Sequence, residues 1–358
     1  MTEPLRGALV GYGAVAHNAH AAAFRERGDF AVAAVADADP QRLRLAAGAF
    51  PGARAYPSLE ALLDAEEGLD FVDLATPPWL HGRQARAVLG RRVHVLCEKP
   101  LTLDPAEFQD LCALARAQDR TVFTVHNWAY SPIWVKAREL AGSLGVIRHM
   151  ELHALRTKPS AGTPCGSGER LPSGDGGPLS AEDPGDWRTD AKLAGGGILV
   201  DHGWHNLYLL RRILFPQGAD SPLETTAALH RPAPDAAEDE ATVFYRFPAA
   251  TALVRLSWRG AARSNWAMVH GCEGSLELRD DHILLRSGAG PEQRFDFPEK
   301  LSGGSAHPGW FSAMLDDFAA EVREPKVRGS NLREAGFVLD LIRRAYDKIV
   351  PPTETSPP

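Results

Sequence analysis

The chain has 358 residues, 44% of them hydrophobic and 24% charged. That is the composition of a folded globular protein, longer than one hydrophobic core usually organises, so two domains are expected. A net charge of −7 supplies no basic footprint, which argues against nucleic acid or an anionic membrane surface as the main partner. Cys97, Cys112, Cys165 and Cys272 show no CxxC pair and no regular framework, and no window approaches the about 18 consecutive apolar residues of a membrane helix. The opening Met1-Thr2-Glu3-Pro4-Leu5-Arg6 lacks the features of a signal peptide, so reduced thiols and a cytoplasmic location are expected.

Residues 6 to 125 alternate short β-rich runs with longer helical patterns, the mark of βαβ units on a doubly wound parallel sheet. Strands are expected at 6–10, 30–36, 53–56, 70–75, 93–97 and 121–125, and helices at 14–27, 40–49, 58–66, 82–90 and 105–118. Gly11-Tyr12-Gly13-Ala14-Val15-Ala16 lies between the first strand and the first helix, the context in which a GxGxxG/A pattern holds a dinucleotide. Gly11 permits the tight turn and Gly13 lets a pyrophosphate approach the backbone; the N–H groups around Ala14 and Val15 favour anions. Asp37 ends the second strand, where a carboxylate accepts ribose hydroxyls and repels a 2′-phosphate, so NAD is expected rather than NADP, with Arg42 the nearest arginine. The same position also suits an Asp that caps the helix beginning near Pro40. Thr76-Pro77-Pro78-Trp79-Leu80-His81 forms a stiff loop suited to walling a nicotinamide ribose, with Thr76, Pro77 and His81 as contacts; packed loop residues are the other reading for Trp79 and His81.

The run 93–97 closes on Glu98-Lys99-Pro100. A lysine at the carboxyl end of a strand in an open α/β sheet lies at the crevice where such sheets bind ligands. Hydride loss from a carbinol requires the hydroxyl proton to leave, and a nearby ammonium stabilises the developing alkoxide. A surface Glu98–Lys99 ion pair is the reading without function.

Asn127, Trp128 and Tyr130 follow the last of these strands with groups that can hydrogen-bond and stack on a polyol or sugar ring, although Trp128 also suits interdomain core. Residues 159–185 are rich in Gly, Pro and Ser without periodicity and read as a flexible loop near the site. A helix is expected over 198–215, which puts Asp201 and His205 on one face, one turn apart, with Tyr208 extending it. Imidazole suits proton exchange near neutrality. His202 completes an Asp/His/His patch, but no fourth ligand spacing and no HExxH pattern accompany it, so no metal is expected and His202 reads as a hydrogen-bonded neighbour of the substrate. Runs at 240–247, 251–258, 265–271 and 275–279 read as an antiparallel meander, followed by helices near 310–322 and 332–350. The expected domains are 1–125 for the cofactor, 126–350 for substrate and oligomerisation, and a tail at 351–358.

Taken in order, Gly11–Ala16, Ala75-Thr76-Pro77-Pro78-Trp79-Leu80-His81, Glu98-Lys99-Pro100 and Gly195-Gly196-Gly197 through Asp201 to His205 resemble the glucose-fructose oxidoreductase and inositol dehydrogenase family, Gfo/Idh/MocA. The resemblance implies an N-terminal Rossmann domain and a C-terminal α/β domain with an open, mostly antiparallel sheet that supports a substrate site and a homo-oligomer interface. It implies that Glu98 and Lys99 border the cofactor, that Lys99 contacts the reacting oxygen, that Asp201 holds substrate and that His205 carries the proton. Pro100 matches the proline of the family's cis bond, Arg188 the residue that anchors entry to the glycine triplet. Asn127-Trp128-Ala129-Tyr130 stands where family members often have Asn followed by basic residues. The activity so implied is NAD-dependent hydride transfer at a secondary hydroxyl, or keto group, of a sugar, inositol or related polyol. An NAD-dependent glycoside hydrolase using transient oxidation, or a non-catalytic NAD-binding sensor or scaffold, would carry the same motifs.

Overall fold

The strands of the first half are short and, up to the one ending at Cys97, each is followed by a helix, so the chain builds a parallel sheet with crossovers. A computed structural model describes residues 3–157, 187–216, 218, 220–233, 235–288, 290–304 and 306–348; the loop expected at 159–185 and the tail at 351–358 lie outside them. Two compact units result: the chain up to Ser131 with Gly304–Gly336 forms the first, and Pro132 onward, Trp187–Gly303 and the chain from Phe337 form the second.

In the first unit the elements are β1 (Leu5–Val10), a π turn (Ala16–His20) running into α1 (Ala21–Glu26), β2 (Phe30–Ala36), α2 (Pro40–Ala49), β3 (Arg54–Tyr56), α3 (Leu59–Ala65), β4 (Phe71–Leu74), α4 (Pro78–Gly90), β5 (His94–Cys97), α5 (Pro105–Gln118) and β6 (Val122–Thr124). The six strands pair in the order β3-β2-β1-β4-β5-β6, all parallel. This is the doubly wound arrangement, with its switch point between β1 and β4. Asp39, Ser58 and Asp104 cap α2, α3 and α5 by accepting N–H groups of the first turns. Proline at the first turn of α2, α4 and α5 costs no helical hydrogen bond and presets φ. α4 begins at Pro78, four residues before the start expected from its apolar pattern.

In the second unit come α6 (Pro132–Ala141), β7 (Ile147–Leu155), α7 (Ala191–Ala194), α8 (Ile198–Asp201), α9 (Gly203–Leu214), β8 (Glu224–His230), β9 (Glu240–Arg246), β10 (Thr251–Ser257), β11 (Ser264–Gly271), β12 (Gly274–Leu278), β13 (His282–Ser287) and β14 (Gln293–Asp296). They are followed by α10 (Pro308–Arg323) and α11 (Ser330–Asp347). The eight strands run β14-β13-β12-β11-β7-β10-β9-β8, antiparallel except for the parallel pair β7/β10. The meander expected over 240–279 is therefore interrupted, because β7 inserts between β10 and β11. The central strands are amphipathic: Met150, Leu152 and Ala154 of β7 are buried with Val254 and Leu256 of β10, against which α9 packs. Glu151, Leu253, Phe244 and Met268 lie across neighbouring strands on the other, half-exposed face.

Sequence order does not decide where α10 packs. Its stripe Phe311, Met314, Leu315, Phe318 and Val322 joins Phe24, Phe30, Phe71 and Phe123 in one buried cluster of the first unit. The rings meet edge-on, Phe318 lying 5.4 Å from Phe71 and 5.6 Å from Phe123, a preferred aromatic geometry. This segment was expected with the substrate domain.

Candidate functional site

At the carboxyl edge of the parallel sheet, three consecutive strands in space, β1, β4 and β5, release the glycine loop, the Thr76-Pro77 loop and Glu98-Lys99. Gly11 adopts φ +85°, donates its N–H to Ala36 O at 2.8 Å, and a Cβ there would stand 2.8 Å from Ala75 O; only glycine meets both demands. A Cβ on Gly13 would meet nothing within 4 Å, so this backbone is open to an approaching group. Tyr12 N–H donates to Asp37 Oδ2 at 2.6 Å and Asp39 N–H to Oδ1 at 2.8 Å, which fixes the half-buried carboxylate beside the glycine loop with lone pairs remaining on both oxygens. Asp39, not Asp37, caps α2. The Arg42 guanidinium lies toward Asp39, 3.8 Å away. An open glycine backbone, a helix start and a carboxylate fixed beside them fit a dinucleotide.

Thr76 donates its hydroxyl to Gln84 Oε1 at 2.5 Å. Pro77 is the N-cap of α4, and Trp79 is 44% exposed. His81 is fully buried, with Nδ1 2.7 Å from Pro100 O and Nε2 2.7 Å from Thr76 O. Burial holds its pKa below the usual value against the pull of the two carbonyls. The ring thus spans the loops after β4 and β5.

Lys99 is half-buried, lies two residues beyond the end of β5, and its bond to Pro100 is cis. Its backbone N–H donates to Glu98 Oε2 at 3.0 Å. Glu98 Oε1 lies 3.0 Å from His20 Nε2, and His20 Nδ1 lies 2.7 Å from Asp73 Oδ2. His20 and Asp73 are fully buried. Burial disfavours the imidazolium, but Asp73 and Glu98 outweigh it and raise the pKa to about 9. Burial also pushes the Asp73 carboxyl up; for Glu98 the His20 and Lys99 charges more than offset burial and its pKa falls. The close Asp73–His20 pair therefore retains a proton at neutral pH. Neither His20 nor Asp73 figured in the sequence reading, although Asp73 is a charged residue within the otherwise apolar strand Phe71–Leu74.

The substrate candidates after β6 are embedded in the first unit. Asn127 and Trp128 are buried in a 3-10 turn, and the Trp128 ring stands edge-on to Trp310 at 6.0 Å. Tyr130 donates its hydroxyl to Asp317 Oδ2 at 2.6 Å.

In the second unit the glycine triplet is a packing device. Gly195 ends α7 at φ 74°, and a Cβ on Gly197 would stand 2.0 Å from Glu238 O. Buried Glu238 accepts the N–H groups of Gly197 at 2.8 Å and Leu199 at 3.1 Å and the Tyr346 hydroxyl at 2.7 Å, so a carboxylate seats the start of α8. The expected helix 198–215 is interrupted at His202, whose φ of −96° and ψ of −25° stay helical; Asp201 and His205 remain four residues apart on this path. His202 Nε2 is 3.5 Å from Asp201 Oδ2, the His202 and His205 rings are 6.4 Å apart, and His205 is buried. Arg156 at the end of β7 was missed by the sequence reading. It donates to Asn265 Oδ1 at 2.7 Å, and burial and Arg263 bring its pKa to about 10 against Asp280 and Asp201. Arg188 lies in a short 3-10 turn before α7 and is half-buried. Among the described residues, no group of three or more His, Cys, Asp or Glu is placed to hold a metal ion, and no helix is long and apolar enough to cross a membrane.

Comparison with known proteins gives two family matches in series. Residues 5–126 match the oxidoreductase family with an NAD-binding Rossmann fold, GFO_IDH_MocA, and residues 134–277 match the GFO/IDH/MocA C-terminal domain. A putative UDP-kanosamine synthase oxidoreductase subunit of Amycolatopsis mediterranei (strain S699) is 28% identical over 96% of this chain and 95% of its own. D-glucoside 3-dehydrogenase of Escherichia coli (strain K12) is 28% identical over 58% of this chain and 53% of its own. The crystal structure of GenD2 from gentamicin A biosynthesis, in complex with NAD, superposes with a TM-score of 0.76 at 24% identity, covering 97% of this chain and 95% of that one.

Proposed function

The chain belongs to the Gfo/Idh/MocA family of NAD-binding oxidoreductases, and from that membership we propose that it is an NAD-dependent dehydrogenase acting on a secondary hydroxyl, or the corresponding keto group, of a sugar or related polyol. The observation that carries this reading is the anchoring of Lys99 at the end of β5, through its N–H to Glu98, on the sheet edge that also bears the Gly11 loop. The names of two relatives, an oxidoreductase subunit of UDP-kanosamine synthase and a glucoside 3-dehydrogenase, support a sugar as substrate.

Gly11 makes the tight turn, its own N–H being taken by Ala36 O; the backbone around Gly13, Ala14 and Val15 would hold the pyrophosphate, and Asp37 would take the ribose hydroxyls and disfavour a 2′-phosphate. Thr76, Pro77, His81 and Glu98 shape the loops bordering the nicotinamide end. A bound nicotinamide supplies the hydride acceptor for oxidation and the donor for reduction. Lys99 stabilises the negative charge that grows on the substrate oxygen as its proton leaves. His205 accepts that proton, and Asp201 orients the substrate and the imidazole. Asn127, Trp128, Tyr130, Arg188 and His202 surround the substrate in this reading, His202 through its contact with Asp201. The protein works in the cytoplasm as a homo-oligomer joined through the half-exposed face of the eight-stranded sheet.

The test is a panel of sugars, glycosides and inositols incubated with NAD and followed by nicotinamide absorbance in wild type, Lys99→Ala and His205→Ala. Turnover is expected with at least one polyol and a loss of about a hundredfold or more in each variant. Near-wild-type turnover in either variant refutes the assigned roles, and release of an aglycone without net reduced cofactor would replace this reading with a glycoside hydrolase.

A further inference from the structure

We infer that His20 is a positioning residue for Lys99: it holds the Glu98 carboxylate where that group fixes the lysine backbone. The inference rests on the reading that Lys99 serves the reaction. Glu98 has one oxygen on the Lys99 N–H at 3.0 Å and the other on His20 Nε2 at 3.0 Å. A carboxylate held at one end only can rotate about its terminal torsion, which is broad for Glu. With His20 in place both oxygens are engaged, and the peptide that carries Lys99 is tied to a buried ring.

Three features show that the ring is set for this task. The π turn over Ala16–His20 inserts one residue into the helical path, a deformation that recurs where a helix must aim a functional side chain. It turns His20 inward to meet Asp73 on β4 and Glu98 beyond β5, 53 and 78 residues away in sequence. Phe311 stacks on the imidazole at 4.0 Å with 26° between the planes and fixes its tilt. Both ring nitrogens face carboxylate oxygens, so the line is fully satisfied only when the Asp73–His20 pair carries an additional proton. The titratable groups around this line are Asp73, Glu98, Lys99, Cys97 and His81: the Lys99 charge acts on Glu98, the His81 ring on Asp73, and the Asp73 and Glu98 charges on Cys97. The helix carrying His20 is also the one whose start receives the dinucleotide in the proposed function, so one element would seat the cofactor and orient the lysine.

The chemistry predicts a specific alkaline limb. Once the shared proton leaves, the ring has one N–H for two carboxylates, and one contact is lost. Wild-type turnover should fall as pH rises through about 9.

The test compares wild type, His20→Gln, Asp73→Asn and Lys99→Ala. Titration of 15N-histidine-labelled protein is followed by NMR without any substrate, and a signal absent from His20→Gln should titrate near pH 9. With the best polyol of the panel, His20→Gln should lose kcat by about a hundredfold, as a small misplacement of a reacting group does, with NADH affinity by nicotinamide fluorescence and substrate KM close to wild type. Asp73→Asn, which keeps an acceptor but removes a charge, should move the alkaline limb to lower pH; it also serves if His20→Gln fails to fold. A His20 signal already neutral at pH 7, an unchanged kcat in His20→Gln, or an unmoved limb in Asp73→Asn overturns the inference. Full turnover in Lys99→Ala overturns the functional reading instead, and leaves the NMR result standing as a property of the fold.

Discussion

Replacing His20 by Gln should flatten the dependence of folding stability on pH between neutrality and mild alkali. The imidazole has a pKa of 6.5 when unfolded and about 9 in the folded protein. Because the folded value is the higher one, its stabilisation is complete below pH 6.5 and is lost as pH rises through about 9. At about 1.4 kcal/mol per unit, the rise corresponds to about 3 kcal/mol in the wild type, absent from a variant that cannot bind the proton. Thermal or denaturant unfolding at several pH values from 6.5 to 9.5 checks this, read as the difference between wild type and His20→Gln so that other titrating groups cancel. The difference should shrink steadily over that range. Parallel pH curves for the two proteins would show that the ring gains no proton on folding and would refute the electrostatic account of the Asp73–His20–Glu98 line.

Three further outcomes follow from the geometry. Asp37→Ala should weaken NADH by about 1.5–3 kcal/mol, the cost of a hydrogen bond to a charged group, and narrow the preference over NADPH; fluorescence titration with both cofactors gives the ratio, and an unchanged ratio counts against the ribose role. Gly197→Ala places a methyl 2.0 Å from Glu238 O and should cost about 3 kcal/mol or more through overpacking, seen as a lowered melting temperature and, if Asp201 and His205 act as proposed, as lost turnover. Phe311→Ala removes a fully buried ring that joins α10 to the first unit and should destabilise by about 3–5 kcal/mol in chemical denaturation.

The parts of this molecule that were legible from sequence are those in which local pattern and structure coincide. Most strands of the parallel sheet are buried apolar runs followed by helices, three of them capped, and the glycine loop is recognisable because its strand and helix flank it. The features that escaped depend on partners distant along the chain. β7 reads Ile147-Arg148-His149-Met150-Glu151-Leu152-His153, and its alternation is real, but histidine and glutamate on the half-exposed face mask the β-rich composition by which strands are usually noticed. The stripe on α10 announces a buried face without naming the core that receives it. Glu238 sits 41 residues from the Gly197 N–H it accepts, so the glycine triplet is visible as a motif while its reason is not. In the same way Glu98-Lys99-Pro100 stands out, whereas the histidine that steadies Glu98 comes from the first helix.

The central claim is hydride transfer at a substrate carbinol, and its most direct test uses that atom as its own label. A polyol substrate deuterated at its secondary carbinol positions is incubated with NAD and the wild-type protein, and the reduced cofactor is analysed by mass spectrometry. Deuterium should appear in the reduced nicotinamide, with transfer suppressed in Lys99→Ala and His205→Ala. Substrate consumed with no label in the cofactor would contradict the account.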